Sequence, residues 1–402
     1  MSSEEGHSSG SEWIANSEDE EEGSEELNYD TDISEEPVEP VVTPEGFKWA
    51  IAGADQRETP NIPYTGKIAG VGDTVPHFTQ PHEAFEFLMN RDILQNIANW
   101  TNEKAQSFLP TPTTKVNGII WRPVDVGILY IYFALVMLMG VIRLPKLAMY
   151  WSHGPLIGGP KIFCAKIMSR NKFFNIQKFL RFSSPGQANK KDPRTRIESF
   201  LSLLRGRCQL MVDPGEHIAV DESLILWKGR LLFKIFIRTK RSRFGIKVFF
   251  TCPGAERWQG YSWNFEVYYG TMSNLDVPGV PDNLSKSEVI VVKMMQGLLD
   301  AGRQVITDNW YTSIRLAYYL KARLTDITGI MLAKRGVPAQ MVKEHLNKKM
   351  STFMRKGDIL ICKYEDCKTV YSLTTRYLAE TMEKTKRFFN VRTFFKLPMQ
   401  LN

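Results

Sequence analysis

From Val126 to Ile142 the chain runs through seventeen residues without a charge, VGILYIYFALVMLMGVI. Such a run must leave water, so it forces the chain to provide either a packed interior or a bilayer. Its length lies at the bottom of the range that crosses a membrane, and Pro145 follows closely. A helix buried in a protein core fits the length equally well and suits the basic, Trp-rich surroundings better, so no membrane is expected.

The charges are segregated. Residues 1–47 hold 16 Asp and Glu and no Lys or Arg, which leaves 44 − 16 = 28 acids against 51 bases, a formal +23, for the remainder. A tract of Ser, Glu and Asp with few apolar residues reads as a disordered acidic tail, either solvating or placed to contact the basic body or other proteins. A body so basic points to a polyanion, although solubility alone also produces such a surface. Collagen-like, mucin-like and wholly disordered classes are excluded by 43% hydrophobic residues and nine Trp. Five Cys without regular spacing point to a reducing compartment, and no secretory signal is read at the N-terminus. Cys362 and Cys367 lack a second Cys or His pair, so no zinc is expected.

The grammar divides the chain into five stretches. The acidic tail (1–47) leads into a Pro-, Gly- and Thr-rich linker (48–75), and helical spacing dominates 76–215. Within it, helices are expected over HEAFEFLMNRDILQNIANWTNEKAQSFL, from Pro123 to Arg143 and from Asn171 to Phe182. From His217 strands and helices alternate, with a β-meander first: HIAVDESLIL, FKIFIRT, GIKVFFTC and YSWNFEVYYG as strands, SKSEVIVVKMMQGLLDAG as a helix. RQVITDN then reads as a strand, TSIRLAYYLKAR as a helix capped by Thr312 and Ser313, and LTDITGIML as a strand. The class is α/β, mixed α+β, with a core at 216–335 and a further region at 336–402.

Asp221 and Asp308 each follow an apolar run (Ile218, Ala219, Val220; Val305, Ile306, Thr307), so both carboxylates are expected at strand ends, where ligands of α/β sheets gather. Adjacent carboxylates suit Mg, a hard cation taking oxygen ligands, although Asp at a strand end is also a common capping residue. Between them, KGRLLFKIFIRTKRSRFGIK (228–247) carries eight bases and no acid: Lys228, Arg230, Lys234, Arg238, Lys240, Arg241, Arg243 and Lys247. Leu231, Phe233, Phe236 and Phe244 interleave with them, a pattern that anchors one face while offering cations to phosphates. Trp227, Trp258, Trp263 and Trp310 are candidates for base stacking, with core packing the plainer role for most.

VDESLILWKGR (220–230), TKRSRFGIK (239–247), TDNWYTS (307–313) and TGIMLAKRGVP (328–338) together resemble the transposase domain of the piggyBac family. WRPVDVGILYIYFALVMLMGVIRLPKLAMYWS and KIMSRNKFFNIQKFLRFS are similar to that family's upstream block. The resemblance implies an RNase H-like catalytic sheet preceded by a helical DNA-binding and dimerisation domain, acting on double-stranded DNA in the nucleus as a homodimer. It also implies three catalytic Asp with Mg, of which Asp221 and Asp308 match the first two. The third lies in relatives within a Gly-Gly-Val-Asp segment that this sequence does not contain; the chain follows the family through 357–375, diverges, and stops at Asn402. The expectation is therefore a transposase-derived DNA-binding protein with an incomplete site, Mg weakly held, and a sheet with an open edge. Metal-dependent nicking, a site completed by another chain, and a non-catalytic interaction factor are the competing readings. Glu222 is expected to support the fold, and Asp366 to lie in a strand or turn.

Overall fold

The computed structural model describes residues 49–52, 61–108, 120–152 and 163–379, except 164, 188, 190, 228, 238–242, 271–272 and 274–276, together with short strands at 381–384 and 392–395. Helices come first: α1 (Pro81–Leu88), α2 (Arg91–Phe108), α3 (Val126–Val141), α4 (Arg170–Phe179) and α5 (Glu198–Met211). The first expected helix is thus two. The chain breaks at Asn90, whose side-chain oxygen accepts from the Ile93 amide and so starts α2. A core of Leu94, Ile97, Leu129, Tyr132, Phe173 and Ile176 joins α2, α3 and α4. Asn102 fixes the entry to α3 by donating to the Val124 carbonyl and accepting from the Val124 amide, each at 2.8 Å.

Helix α3 is the charge-free run, and it departs from expectation. Leu129, Tyr132 and Leu135 are buried, but Ile131, Val136, Met137 and Val141 face outward, Val141 with 82% of its surface exposed. A helix apolar on every side carries no pattern to select the buried face; packing against α2 and α4 makes that choice. Among the described residues no helix is long and apolar enough to cross a membrane.

The second layer is a ten-stranded sheet containing β1 (Ala50–Ile51), β4 (His217–Leu226), β5 (Ile235–Phe236), β6 (Phe244–Pro253), β7 (Asn264–Val267), β8 (Gln304–Thr307), β9 (Asp326–Met331), β10 (Ser351–Lys356), β11 (Ile359–Glu365) and β12 (Thr369–Thr374). The short strands β2 (Gly70–Val71) and β3 (Val212–Asp213) pair separately. At the centre the order is β7-β6-β4-β8-β9: an antiparallel meander, then two strands parallel to β4. Helices α6 (Lys286–Met294) and α7 (Ile314–Ala322) pack their apolar sides on one face, where Val220, Phe249, Val305, Ile327, Met294 and Leu316 meet. The sequence reading expects an open sheet edge without placing it, and β9 is not that edge. β12 pairs antiparallel with β9 from Thr374↔Thr328 to Tyr371↔Met331, and β11, β10 and β1 follow, so residues 351–374 satisfy that backbone.

Helix α5 ties the helices to the sheet. Arg205 donates to the Phe265 carbonyl and to Glu266, which also receives Lys293 at 2.7 Å. The composition-read linker is held too. The Thr65 amide donates to the Ala301 carbonyl, β2 pairs with β3, and β1 enters the large sheet against β10. The acidic tail lies outside the described residues.

At Gly302 the strap approaches so closely that a Cβ would stand 2.1 Å from the Pro63 carbonyl oxygen, at a φ of 73°. Gly302→Ala is therefore expected to cost about 1–3 kcal/mol. Gly206 within α5 has nothing within 4 Å, so Gly206→Ala is expected to stabilise by about 0.5–1 kcal/mol. Urea unfolding of the two variants would show the opposite signs.

Candidate carboxylate site

The two sequence-derived carboxylates are brought together by strand register. β4 and β8 run parallel from His217↔Gln304 to Val220↔Thr307, and the next residue on each is Asp221 and Asp308. Neighbouring strands lie about 4.8 Å apart, so the pair stands side by side. Asp308 leaves its strand end as expected. Asp221 does not: β4 continues to Leu226 because β6 pairs with it along its whole length, so Asp221 sits mid-strand where the parallel partner stops. Both carboxylates are exposed, and both are close enough to the Tyr311 hydroxyl to oppose its ionisation.

The turn 308–313 is fixed at every step. The Asp308 carboxylate accepts from the Trp310 amide at 2.9 Å, and its carbonyl accepts from the amide and hydroxyl of Thr312. Thr312 and Thr307 share a 2.7 Å hydroxyl bond beneath the turn. Gly329 on β9 makes that possible, since a Cβ there would lie 2.3 Å from the Thr312 hydroxyl and 2.4 Å from the Thr307 carbonyl. Ser313 caps α7 by accepting from the Leu316 amide and donates to Glu288, a fully buried carboxylate in the capping box of α6. Arg315 approaches Glu288 at 3.5 Å, which gives the buried charge a partner.

Beneath the paired Asp lies a second polar layer. Glu222, one residue past Asp221, points to the helical face and accepts from the Tyr311 hydroxyl at 2.7 Å. Lys247 stands 4.0 Å from the same carboxylate, with its ammonium 4.2 Å from the centre of the Trp310 ring and 5.0 Å from that of Phe249. Burial, then the charge of Glu222, pushes the Tyr311 phenol far above its ordinary range, so it stays a proton donor. The Tyr311 bond joins the strand of one carboxylate to the turn of the other.

The remaining site residues divide. Arg230 and Arg243 are exposed on the β4–β6 extension, and Lys234 is half-buried with its ammonium 5.7 Å from the Phe244 ring centre. Lys228, Arg238, Lys240 and Arg241 lie outside the described residues. Lys247, read as a phosphate contact, is 4% exposed: strand alternation turns it inward to Glu222. Trp263 is buried and donates to the Val212 carbonyl, Trp310 packs on Phe249, and Trp258 is half-buried; Trp227 faces outward. Asp366 occupies the turn between β11 and β12, apart from the pair. Among the described residues no group of three His, Cys, Asp or Glu forms a metal cluster. The roles of Tyr311, Glu288 and Gly329 were not read from sequence, since a buried Tyr, Glu or Gly carries no local signature of what it touches.

A three-stranded meander continued by two parallel strands is the sheet order of the RNase H-like fold of DDE transposases. The family model for Transposase IS4 matches residues 80–395. The chain belongs to this family, in its piggyBac-type branch. It is 23% identical over 320 residues to human "PiggyBac transposable element-derived protein 3", covering 76% of this chain and 49% of that protein. The human "Chimeric ERCC6-PGBD3 protein" matches over the same length, which is 28% of its own chain. A piggyBac transposase solved by cryo-EM in a synaptic complex with hairpin DNA superposes with a TM-score of 0.65 at 21% identity, over 80% of this chain and 65% of that one. The chain thus spans about half the length of the piggyBac-derived human protein it matches.

Tyr311→Phe removes the bond between the two carboxylate-bearing segments and leaves Glu222 buried beside Lys247; the expected loss is about 1.5–3 kcal/mol, read by urea unfolding. Cys362 is buried in β11, which pushes its thiol up to about 12, whereas Cys367 is exposed in the turn. Brief alkylation of the native protein, mapped by mass spectrometry, is expected to modify Cys367 and spare Cys362.

Proposed function

We propose that the chain is a DNA-binding protein of transposase descent that acts in the nucleus, with Asp221 and Asp308 holding a divalent cation at the surface that meets DNA. The observation that carries this reading is the register that sets Asp221 on β4 beside Asp308 at the end of β8, with the far end of β4 leading into the basic 228–247 stretch. The chemistry of the donors fits Mg: two exposed hard-oxygen groups on rigid backbone, with room for the waters that Mg retains. Bound there, the cation supplies a Lewis acid for a phosphodiester oxygen. Asp221 and Asp308 hold and orient it, and the Glu222–Tyr311 bond keeps their segments in register. Arg230 and Arg243 contribute charge along the DNA backbone; double-stranded DNA is the partner and a second copy of the chain an additional one.

A second reading, metal-dependent nicking by the same pair, draws on the same juxtaposition.

Duplex binding is expected to weaken linearly with the logarithm of salt, and Arg230→Ala with Arg243→Ala to reduce that slope by about 2. Binding unaffected by salt sinks the DNA reading. Manganese titrated into the protein is expected to bind, and Asp221→Asn or Asp308→Asn to abolish it without lowering the melting temperature. Cleavage of supercoiled DNA that persists in both variants rejects nicking by this pair.

A further inference from the structure

Along β4 the side chains alternate, and one face carries Asp221, Ser223, Ile225 and then Trp227. All four are exposed, Ile225 at 51% and Trp227 at 44%. Just past the strand, the Trp227 amide donates to the Phe244 carbonyl at 3.4 Å, which continues the β4–β6 ladder and sets residues 227 and 244 opposite each other. β5 pairs Phe236 with Phe244 on the other side, and those rings lie 4.6 Å apart at 40°. The result is a cross-strand row of Trp227, Phe244 and Phe236, with Phe244 itself 49% exposed. A Cβ at Gly229 would come within 3.0 Å of the Trp227 indole, so the glycine lets the backbone pass close beside that ring.

We propose that this row is a stacking platform for unpaired bases of a DNA strand, placed on the same face as the carboxylate pair. The inference rests on the DNA reading above and adds to it the part of DNA that is bound. Three observations select nucleobases over another apolar partner. The rim is cationic, with Arg230 and Arg243 exposed and Lys234 beside Phe244. No acid interrupts residues 228–247, so a protein partner would bring its apolar surface against a mostly positive rim. Flat aromatic faces ringed by Lys and Arg match the two parts of single-stranded DNA, π-faces and phosphates. Six residues along a strand separate Asp221 from Trp227, about 20 Å, or about six base steps. A strand whose phosphate lies at the carboxylates therefore reaches the platform several nucleotides away.

The test uses the full chain and two DNA probes: a blunt duplex, and the same duplex with a six-nucleotide single-stranded overhang carrying 2-aminopurine. The wild type is expected to prefer the overhang and to quench its fluorescence. Trp227→Ala is expected to lower affinity for the overhang probe by about five- to a hundredfold and to abolish the quench, with blunt-duplex affinity unchanged. Trp227→Phe is expected to retain both signals. Phe244→Ala, at a second exposed position, is expected to repeat the loss and serves if Trp227→Ala melts early. Overhang binding and quench equal to wild type in both alanine variants overturn the platform while leaving duplex binding intact. A wild type that binds neither probe removes the DNA reading itself, and the platform with it.

Discussion

The hydrogen bond from Tyr311 to Glu222 is the contact on which the site depends. Two parallel strands can carry their carboxylates to the same level, but Asp308 has already left its strand and would swing with its turn. The phenol reaches back across the sheet to the residue beside Asp221, and its burial keeps it a donor. Lys247 makes that arrangement tolerable. A carboxylate withdrawn from water needs a compensating charge, and the ammonium, itself packed against Trp310 and Phe249, provides one at 4.0 Å.

The same logic extends outward through the capping residues. Ser313 ends the turn and starts α7, and it does so bonded to Glu288, which starts α6. Two helix N-termini and one turn therefore share a buried carboxylate, with Arg315 balancing it. Gly329 sets the depth at which the turn sits, because only a residue without a Cβ lets Thr307 and Thr312 pack against β9. The surface above is left exposed and oxygen-rich, the surface below is closed and neutralised.

Much of this was legible in the chain because strands announce themselves by apolar runs. RQVITDN places Asp308 at a strand end as the structure has it, whereas HIAVDESLIL runs on past Asp221 to Leu226 instead of ending there, and Ser313 as a cap follows from its place before an apolar periodic segment. The run from Val126 to Ile142 was legible as a helix but not as a face, since it lacks the polar residues that would mark one. Lys247 reads in sequence as one more base in a basic stretch. Strand alternation, with Leu224 as its partner on β4, turns it into the interior instead.

Composition and spacing by themselves determined the segregation of charge, the helices followed by a mixed sheet, and the two carboxylates, because these depend on local periodicity and on residues close in the chain. Only the tertiary structure decided that Asp221 and Asp308 are neighbours, that Tyr311 serves Glu222 across 89 residues, and that β12 covers the edge of β9. It also decided that Trp227 faces outward on the carboxylate side while Trp263 and Trp310 pack inward. The reason is register: one residue of slip in a strand exchanges its faces, and register is set by partners far away in sequence.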